Sequence, residues 1–313
     1  MLRSSINGLP ERRRGELRRR LTGKGPVVFC EAHNGLSAMI SENAVSTTGE
    51  KFDGHWVSSL TCSAARGLPD MEIYVAERRL EMIEEICFAT GNPVIVDADT
   101  GGDAVSLEYL IRRLEVLGVS AVVVEDKRHP KRNSLDGTEL DHLEEPSVFA
   151  RKIRRAKAAM LTDDMMFISR LESLIAGGNL SDALSRAETY IQAGSDGIMI
   201  HSKDQTPDEV FAFADAFQEL RSSFDKYIPL MCVPTTYNTV NVQDLGVRGF
   251  DIVVHANHLL RAAHMAMSST CQQLLESGMS AVLDNKISPV KDLFSQTGYY
   301  DAMERDNRVI EGA

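Results

Sequence analysis

Eight short apolar runs recur along the chain, and no other feature limits its fold so tightly. They are Val27–Ala32 (VVFCEA), Gly54–Leu60 (GHWVSSL), Pro93–Asp99 (PVIVDAD), Ala121–Asp126 (AVVVED), Met166–Glu172 (MFISRLE), Asp196–Ser202 (DGIMIHS), Ile228–Pro234 (IPLMCVP) and Asp251–Asn257 (DIVVHAN). Each is nearly continuously apolar, as a strand covered on both faces must be. Amphipathic stretches lie between them. In Ser106–Gly118, Leu107, Leu110, Ile111, Leu114 and Leu117 share one face, and the stretch ends on glycine. Asn179–Gly194 repeats that plan, and Thr206–Leu220 opens with a Thr cap, an early proline and acids. Strand and helix alternating eight times predict an α/β fold, a (β/α)8 TIM-type barrel rather than an open sheet. The barrel is expected over residues 26–277, with a helical or tail segment over 1–25 and a helical tail over 278–313.

Bulk properties exclude several functions. The net charge of −11 argues against nucleic acid or an anionic membrane as partner. No apolar run approaches the roughly 20 residues of a membrane helix, and the N-terminus lacks the apolar core of a secretory signal. The Arg-rich opening, ERRRGELRRRLTGKG, reads as a solvated helix or tail; interleaved acids disfavour a nucleic-acid arm or a transit peptide. Cys30, Cys62, Cys87, Cys232 and Cys271 are far apart and form no CxxC pair, which fits core packing in a reducing cytoplasm.

A barrel places its chemistry at the C-terminal ends of its strands, and polar residues gather there. Asp97 and Asp99 are two apart, on one side of a strand, and Glu125 ends the next strand. Three converging carboxylates repel one another unless a cation lies among them. An all-oxygen set points to Mg²⁺, with Mn²⁺ as a substitute. The plainer alternative is that the DAD segment caps a helix and Glu125 pairs with a lysine. Arg170, His201 and Lys131 around such an ion suit an anion with several oxygens, such as a phosphorylated carboxylate. Taken singly, Arg170 has a plainer reading as a partner of Glu172, and a lone histidine is more often structural. His255 and His258 in HANH straddle a strand end and read as structural. Lys127 and Lys203 are Schiff-base candidates in type only, since no apolar pocket surrounds either in sequence.

EAHNGLSA (31–38), DADTGG (97–102), EDKRHPKRNSL (125–135), SRLESLIAGG (169–178), IMIHSK (198–203) and HANHLLRAA (255–263) together resemble the phosphoenolpyruvate mutase and isocitrate lyase superfamily, in its order, over about Val27–Phe294. Within it, EDK, five residues and NS resembles the mutase branch, which interconverts phosphoenolpyruvate and phosphonopyruvate. The resemblance implies a barrel whose last helix is swapped between subunits of a homodimer or homotetramer. It implies Mg²⁺ held directly by Asp97, with Asp99, Glu125 and Asp70 completing the shell largely through water. Asp70, in GLPDMEI, matches an aspartate that receives or guides the phosphoryl group. Arg170 and His201 would hold phosphoryl oxygens, and Lys131 and Asn133 would sit on a gating loop. Ser58, Ser59 and Leu60 would receive the carboxylate end, with Trp56 walling the pocket. A hydrolase of phosphonopyruvate shares these parts; Asn133-Ser134 favours the mutase. Carbon–carbon lyases of the superfamily carry a loop cysteine, which this loop lacks. Two departures are expected to alter pocket size: WVSSLT (56–61) has Ser59 where the family has glycine, and VSTTGEKFDG (45–54) is an insertion.

Overall fold

The computed structural model describes residues 8–135 and 139–310. The ends of the two expected terminal segments, residues 1–7 and 311–313, lie outside the described residues, as do 136–138 beyond the expected gating loop. The eight predicted runs form eight parallel strands closed into one barrel: β1 Val27–Glu31, β2 Gly54–Val57, β3 Val94–Asp97, β4 Ala121–Glu125, β5 Met166–Leu171, β6 Gly197–Ile200, β7 Leu230–Cys232 and β8 Ile252–His255. Helices α1 (Pro10–Arg20), α2 (Gly35–Asn43), α3 (Ser59–Ala64), α4 (Leu80–Ala89), α5 (Ala104–Val116) and α6 (Pro146–Ala159) come in the first half. Then follow α7 (Leu180–Gln192), α8 (Asp208–Ser222), α9 (Val242–Val247), α10 (His258–Ser277), α11 (Val290–Gln296) and α12 (Tyr299–Ile310).

Side-chain parity divides the core into two layers. Val27, Phe29, Ile95, Ala121, Val123, Met166, Ile168, Met199, Met231, Ile252 and Val254 fill the barrel interior. Their strand neighbours Val94, Val96, Val122, Val124, Phe167, Ile198, Ile200 and Val253 face the helices. Continuous apolarity and alternation coexist because both faces are covered. Gly54, at the start of β2, has no room for a side chain: a Cβ there would lie 2.2 Å from the Phe29 ring and 2.6 Å from the Pro93 carbonyl.

Several sequence readings need adjustment. β2 stops at Val57, because the Ser58 side chain caps α3 by accepting from the Thr61 amide. Thr206 caps nothing; α8 starts at Asp208, and the Thr206 hydroxyl donates to that carboxylate at 3.0 Å. The Arg-rich opening is a helix but not a solvated one. Leu17 plugs the barrel interior at its N-terminal end, and buried Arg13 donates to the carbonyls of Gly8, Cys87 and Thr90. Arg18 pairs with Asp196 at 2.8 Å, and Arg19 and Arg20 pair with Glu16. The run of arginines ties loops to the bottom of the barrel, using charge where the sequence alone suggests solvation. The insertion at 45–54 connects α2 to the start of β2, at this same end, and none of its residues lines the cavity described below. It therefore does not set pocket size.

α10 is 20 residues long and has no buried residue; Met265, Met267 and Leu275 are among its exposed apolar side chains. Its N-terminus is fixed to the barrel by Glu31, which accepts from the amides of Leu259 (3.0 Å) and Leu260 (3.1 Å) and whose other oxygen meets His33 Nδ1 at 2.6 Å. Among the described residues, no helix is long and apolar enough to cross a membrane.

Candidate active site

Parity also selects which polar residues enter the barrel mouth. Counting by twos from interior side chains, Ile95 leads to Asp97, Val123 to Glu125, Ile168 to Arg170, and Met199 to His201. Glu125 and Asp126 are neighbours in sequence but on opposite faces. Asp126 points into the helical layer, where it accepts from Arg186 Nη1 at 3.1 Å, Tyr190 Oη at 2.8 Å and the Glu172 amide at 2.9 Å. That network is structural. Replacing Arg186 with Met leaves Asp126 buried without a counter-charge, at an expected cost of about 3–5 kcal/mol. Urea unfolding would measure it, and a loss below about 1 kcal/mol would contradict the assignment.

Asp97 Oδ2 accepts from Ser59 Oγ at 2.9 Å, and its Oδ1 accepts from the Asp99 amide at 3.1 Å. Asp99 has a positive φ of 56°, a strained conformation for a non-glycine residue. Its carboxylate is clamped by Arg79 (2.6 Å) and Lys131 Nζ (2.7 Å). Burial pushes the Asp97 carboxyl up, but Lys131, Arg170 and Arg79 outweigh burial and hold it below the usual range. Glu125 differs. It is buried, and neither carboxylate oxygen has a hydrogen-bond partner among the described residues. Lys127 Nζ and Arg170 Nη1 stand 3.5 and 3.6 Å away. Burial pushes its pKa up to about 7 despite those cations. Unpartnered oxygens on a buried carboxylate fit a cation.

Among the described residues, no three acids converge closely enough to chelate an ion unaided. Mg²⁺ does not require that, since it commonly keeps several waters and takes one or two carboxylates. The oxygens of Asp97 and Glu125, with Asp99 behind them, fit such a hard ion. The plainer alternative is present too, because Glu125 does face Lys127; at 3.5 Å, however, the lysine does not satisfy it.

Lys131, Asn133 and Ser134 come down on this mouth from the segment after β4. Lys131 Nζ donates to Ser59 Oγ (2.8 Å) and lies 3.0 Å from Asp70 Oδ1. Burial opposes its charge, but the carboxylates of Asp99, Glu125, Asp97 and Asp70 outweigh that and push its pKa well up. Asn133 Nδ2 donates to Asp70 Oδ2 at 2.7 Å. Ser134 Oγ accepts from Arg170 Nη2 (2.7 Å) and Lys127 Nζ (2.6 Å). Arg170 also donates from Nε to Glu172 and from Nη2 to His201 Nδ1 at 2.8 Å. Burial and the Arg170 charge lower the His201 pKa, so its ring is neutral. With Nδ1 accepting, the proton sits on Nε2.

Trp56, Ser58, Ser59, Leu60, Asp70, Asp97, Lys131, Asn133, Arg170 and His201 line one cavity, joined by Ser134, Leu135, Met199, Val233, Thr235, Ala256 and Asn257. The Trp56 indole N–H is buried without a partner among the described residues. The cavity holds about 60 Å³, well below the few hundred Å³ of an ordinary ligand pocket. The Lys131 side chain is among the groups that line it. Asp99 and Glu125 lie behind the lining. His255 and His258 pack edge to face with ring centroids 5.5 Å apart and stand outside it. Lys203 is exposed, and Lys127 is buried in ion pairs with Glu172 (3.0 Å) and Glu125, so neither has the setting of a Schiff-base amine.

Two residues, Arg79 and Glu72, escaped the sequence reading, and Glu172 entered it only as a partner for Arg170. Arg79, fully buried, donates to the Asp97 carbonyl (2.7 Å) and to Asp99. Glu172 gathers Arg170, Lys127 and His201 and is held well below the usual carboxylate range: burial raises it, and Arg170 and Lys127 overcome that. Glu72 receives bonds from three directions and is taken up below.

The phosphoenolpyruvate phosphomutase family profile matches residues 17–275. A phosphoenolpyruvate phosphomutase of Tetrahymena pyriformis is 34% identical over 300 residues, covering 96% of each chain. A phosphonopyruvate hydrolase of Variovorax sp. (strain Pal2) is 36% identical over 272 residues, covering 85% of this chain and 88% of its own. The crystal structure of a phosphoenolpyruvate phosphomutase from Streptomyces platensis subsp. rosaceus superposes with a TM-score of 0.86 at 36% identity, covering 94% of this chain and 98% of that one. A phosphonopyruvate hydrolase in complex with oxalate and Mg²⁺ superposes with a TM-score of 0.81 at 32% identity, covering 95% and 98%.

Proposed function

This chain belongs to the phosphoenolpyruvate phosphomutase family, and from that premise we propose that it interconverts phosphoenolpyruvate and phosphonopyruvate in phosphonate biosynthesis. The bond from phosphorus to the enol oxygen breaks, and a bond from phosphorus to the methylene carbon forms. Relatives of mutase and hydrolase activity stand at nearly equal identity, so the choice rests on the lid. One observation carries it: Lys131 and Asn133, from one loop, both hold the Asp70 carboxylate across the cavity. A migrating phosphoryl group survives only where water is shut out.

Phosphoryl transfer passes through a loose transition state, so positioning and charge carry the catalysis. Arg170 and the Nε2–H of His201 donate to phosphoryl oxygens. Asp70 faces them as acceptor or guide of the migrating group. Ser58, Ser59 and Leu60, at the start of α3, receive the carboxylate, and Trp56 walls the pyruvate. Asp97 and Glu125 would hold Mg²⁺, the ion in the similar hydrolase complex, with Asp99 and Asp70 around it and Mn²⁺ able to substitute. When bound, it supplies positive charge at the enolate oxygen. A pyruvate kinase-coupled assay tests the reading: phosphonopyruvate is expected to drive ATP formation, and its failure to do so would reject the mutase.

Metal affinity should depend on pH through Glu125. Its pKa of about 7 lies above the unfolded value, so its burial destabilises the metal-free protein progressively from about pH 4.5 to about pH 7 and by a constant amount above that. A cation must displace that proton below pH 7 and meets a free carboxylate above it. Apparent Mg²⁺ affinity, read from thermal shifts, is expected to fall about tenfold from pH 8 to pH 6. Equal affinities at both would remove Glu125 from the site.

Phosphonopyruvate hydrolysis is the second reading, supported by the 36% identical relative. The exposed apolar face of α10 supports a helix exchanged between subunits of a homodimer or homotetramer. Sedimentation analysis tests it, and a monomer would overturn it. The five free cysteines are compatible with the cytoplasm.

A further inference from the structure

We propose that Glu72 is a positioning residue, the latch that holds the Lys127–Leu135 lid shut over the cavity. The inference rests on the lid role given above, and the sequence reading assigns Glu72, inside GLPDMEI, no role. Its side chain is 3% exposed and its backbone has a positive φ of 59°. Non-glycine residues hold that conformation only when their surroundings determine it. Here two hydrogen bonds and one close contact do so. Thr100 Oγ1 donates to Glu72 Oε1 at 2.7 Å. The Lys131 amide donates to Oε2 at 3.1 Å, and His129 Nδ1 lies 3.0 Å from that same oxygen.

The two ends of this carboxylate belong to different bodies. Thr100 directly follows Asp99 at the barrel rim, in a turn closed by its own hydroxyl accepting from the Gly102 amide at 3.1 Å. His129 and Lys131 belong to the lid. Glu72 bonds the backbone of Lys131, while the side chain of Lys131 reaches the catalytic carboxylates. Glu72 also sits two residues after Asp70, so one short segment carries both the phosphoryl-facing acid and the latch. The lid bonds of Glu72 therefore fix the reach of Lys131 into the cavity without touching substrate. Breaking them frees the lid backbone and leaves the barrel rim, the metal carboxylates and Arg170 in place.

Two variants separate positioning from folding. Glu72→Asn keeps a residue that tolerates positive φ but shortens the arm, so it cannot span Thr100 and the lid. Glu72→Gln keeps the length and one acceptor oxygen. Limited trypsin digestion, with cleavage mapped at the exposed Arg128 and Arg132, reports lid opening directly. Losing the Lys131 amide bond and the His129 contact is expected to speed lid cleavage at least about tenfold in Glu72→Asn, with a smaller rise of about threefold in Glu72→Gln. In turnover, Glu72→Asn should lower kcat more than it changes KM, and inorganic phosphate should rise relative to phosphoenolpyruvate. Lid cleavage at the wild-type rate in Glu72→Asn overturns the latch. If Glu72→Asn shows no cooperative melt, Glu72→Gln decides, and an unchanged cleavage rate there overturns it equally. If the wild-type enzyme yields only phosphate and pyruvate, the mutase reading fails while the cleavage rates still judge the latch.

Discussion

Asp70→Ala is expected to lower kcat by about 10³–10⁴-fold while Mg²⁺ binding largely survives. Asp70 lines the cavity, and both its oxygens are engaged from the lid: Oδ1 by Lys131 Nζ at 3.0 Å and Oδ2 by Asn133 Nδ2 at 2.7 Å. Its removal has two consequences. On the proposed function, the migrating phosphoryl group loses the carboxylate assigned to face it, and the lid loses the anchor on which Lys131 and Asn133 converge. Asp97 and Glu125 stay where they are, because Ser59, the Asp99 amide and the strand ends fix them independently. Steady-state kinetics, with Mg²⁺ binding followed by calorimetry, checks both halves. Near-normal turnover in the variant would strip Asp70 of its role.

Arg170→Ala is expected to cost about 10³-fold in kcat/KM and about 3–5 kcal/mol of stability. This guanidinium bonds Ser134 of the lid, His201 and Glu172, and stands 3.6 Å from Glu125. On the proposed function, the activity loss follows from removing the planar donor fork assigned to the phosphoryl oxygens. The stability loss follows from leaving Glu172 fully buried with Lys127 as its main remaining counter-charge. Arg170→Lys restores the charge but not the fork, so it should recover most of the stability and little of the activity. Recovery of activity with stability by the lysine would show that charge alone is needed there. Kinetics and urea unfolding on the two variants separate these outcomes.

Much of the barrel was legible in the sequence, for a definite reason. Strands buried on both faces must be continuously apolar, and nothing else in a soluble chain repeats that pattern eight times between amphipathic helices. The acids and Arg170 were legible because period two, counted along a strand, aims Asp97, Glu125 and Arg170 inward. The same count sends Asp126 outward to Arg186, which separates two adjacent carboxylates with unrelated tasks. What escaped were residues whose positions depend on loops. Arg79 lies in the run AERR, which reads as a solvated charge cluster, yet it is buried against Asp99. Glu72 lies in a segment with no periodicity, and only the return of the lid gives it partners. The arginines of α1 resemble a tail because their acceptors are backbone carbonyls and acids far along the chain. Charge runs show that solvent or a counter-charge is needed, and only the fold decides which is supplied.

Mutase chemistry and hydrolysis use the same pocket and differ in whether water reaches the phosphoryl group. Phosphorus NMR of phosphonopyruvate incubated with the enzyme and Mg²⁺ follows both outcomes in one tube. The account predicts that a phosphoenolpyruvate resonance grows at the expense of phosphonopyruvate, only when Mg²⁺ is present, with little inorganic phosphate. Accumulation of inorganic phosphate and pyruvate with no phosphoenolpyruvate would contradict it.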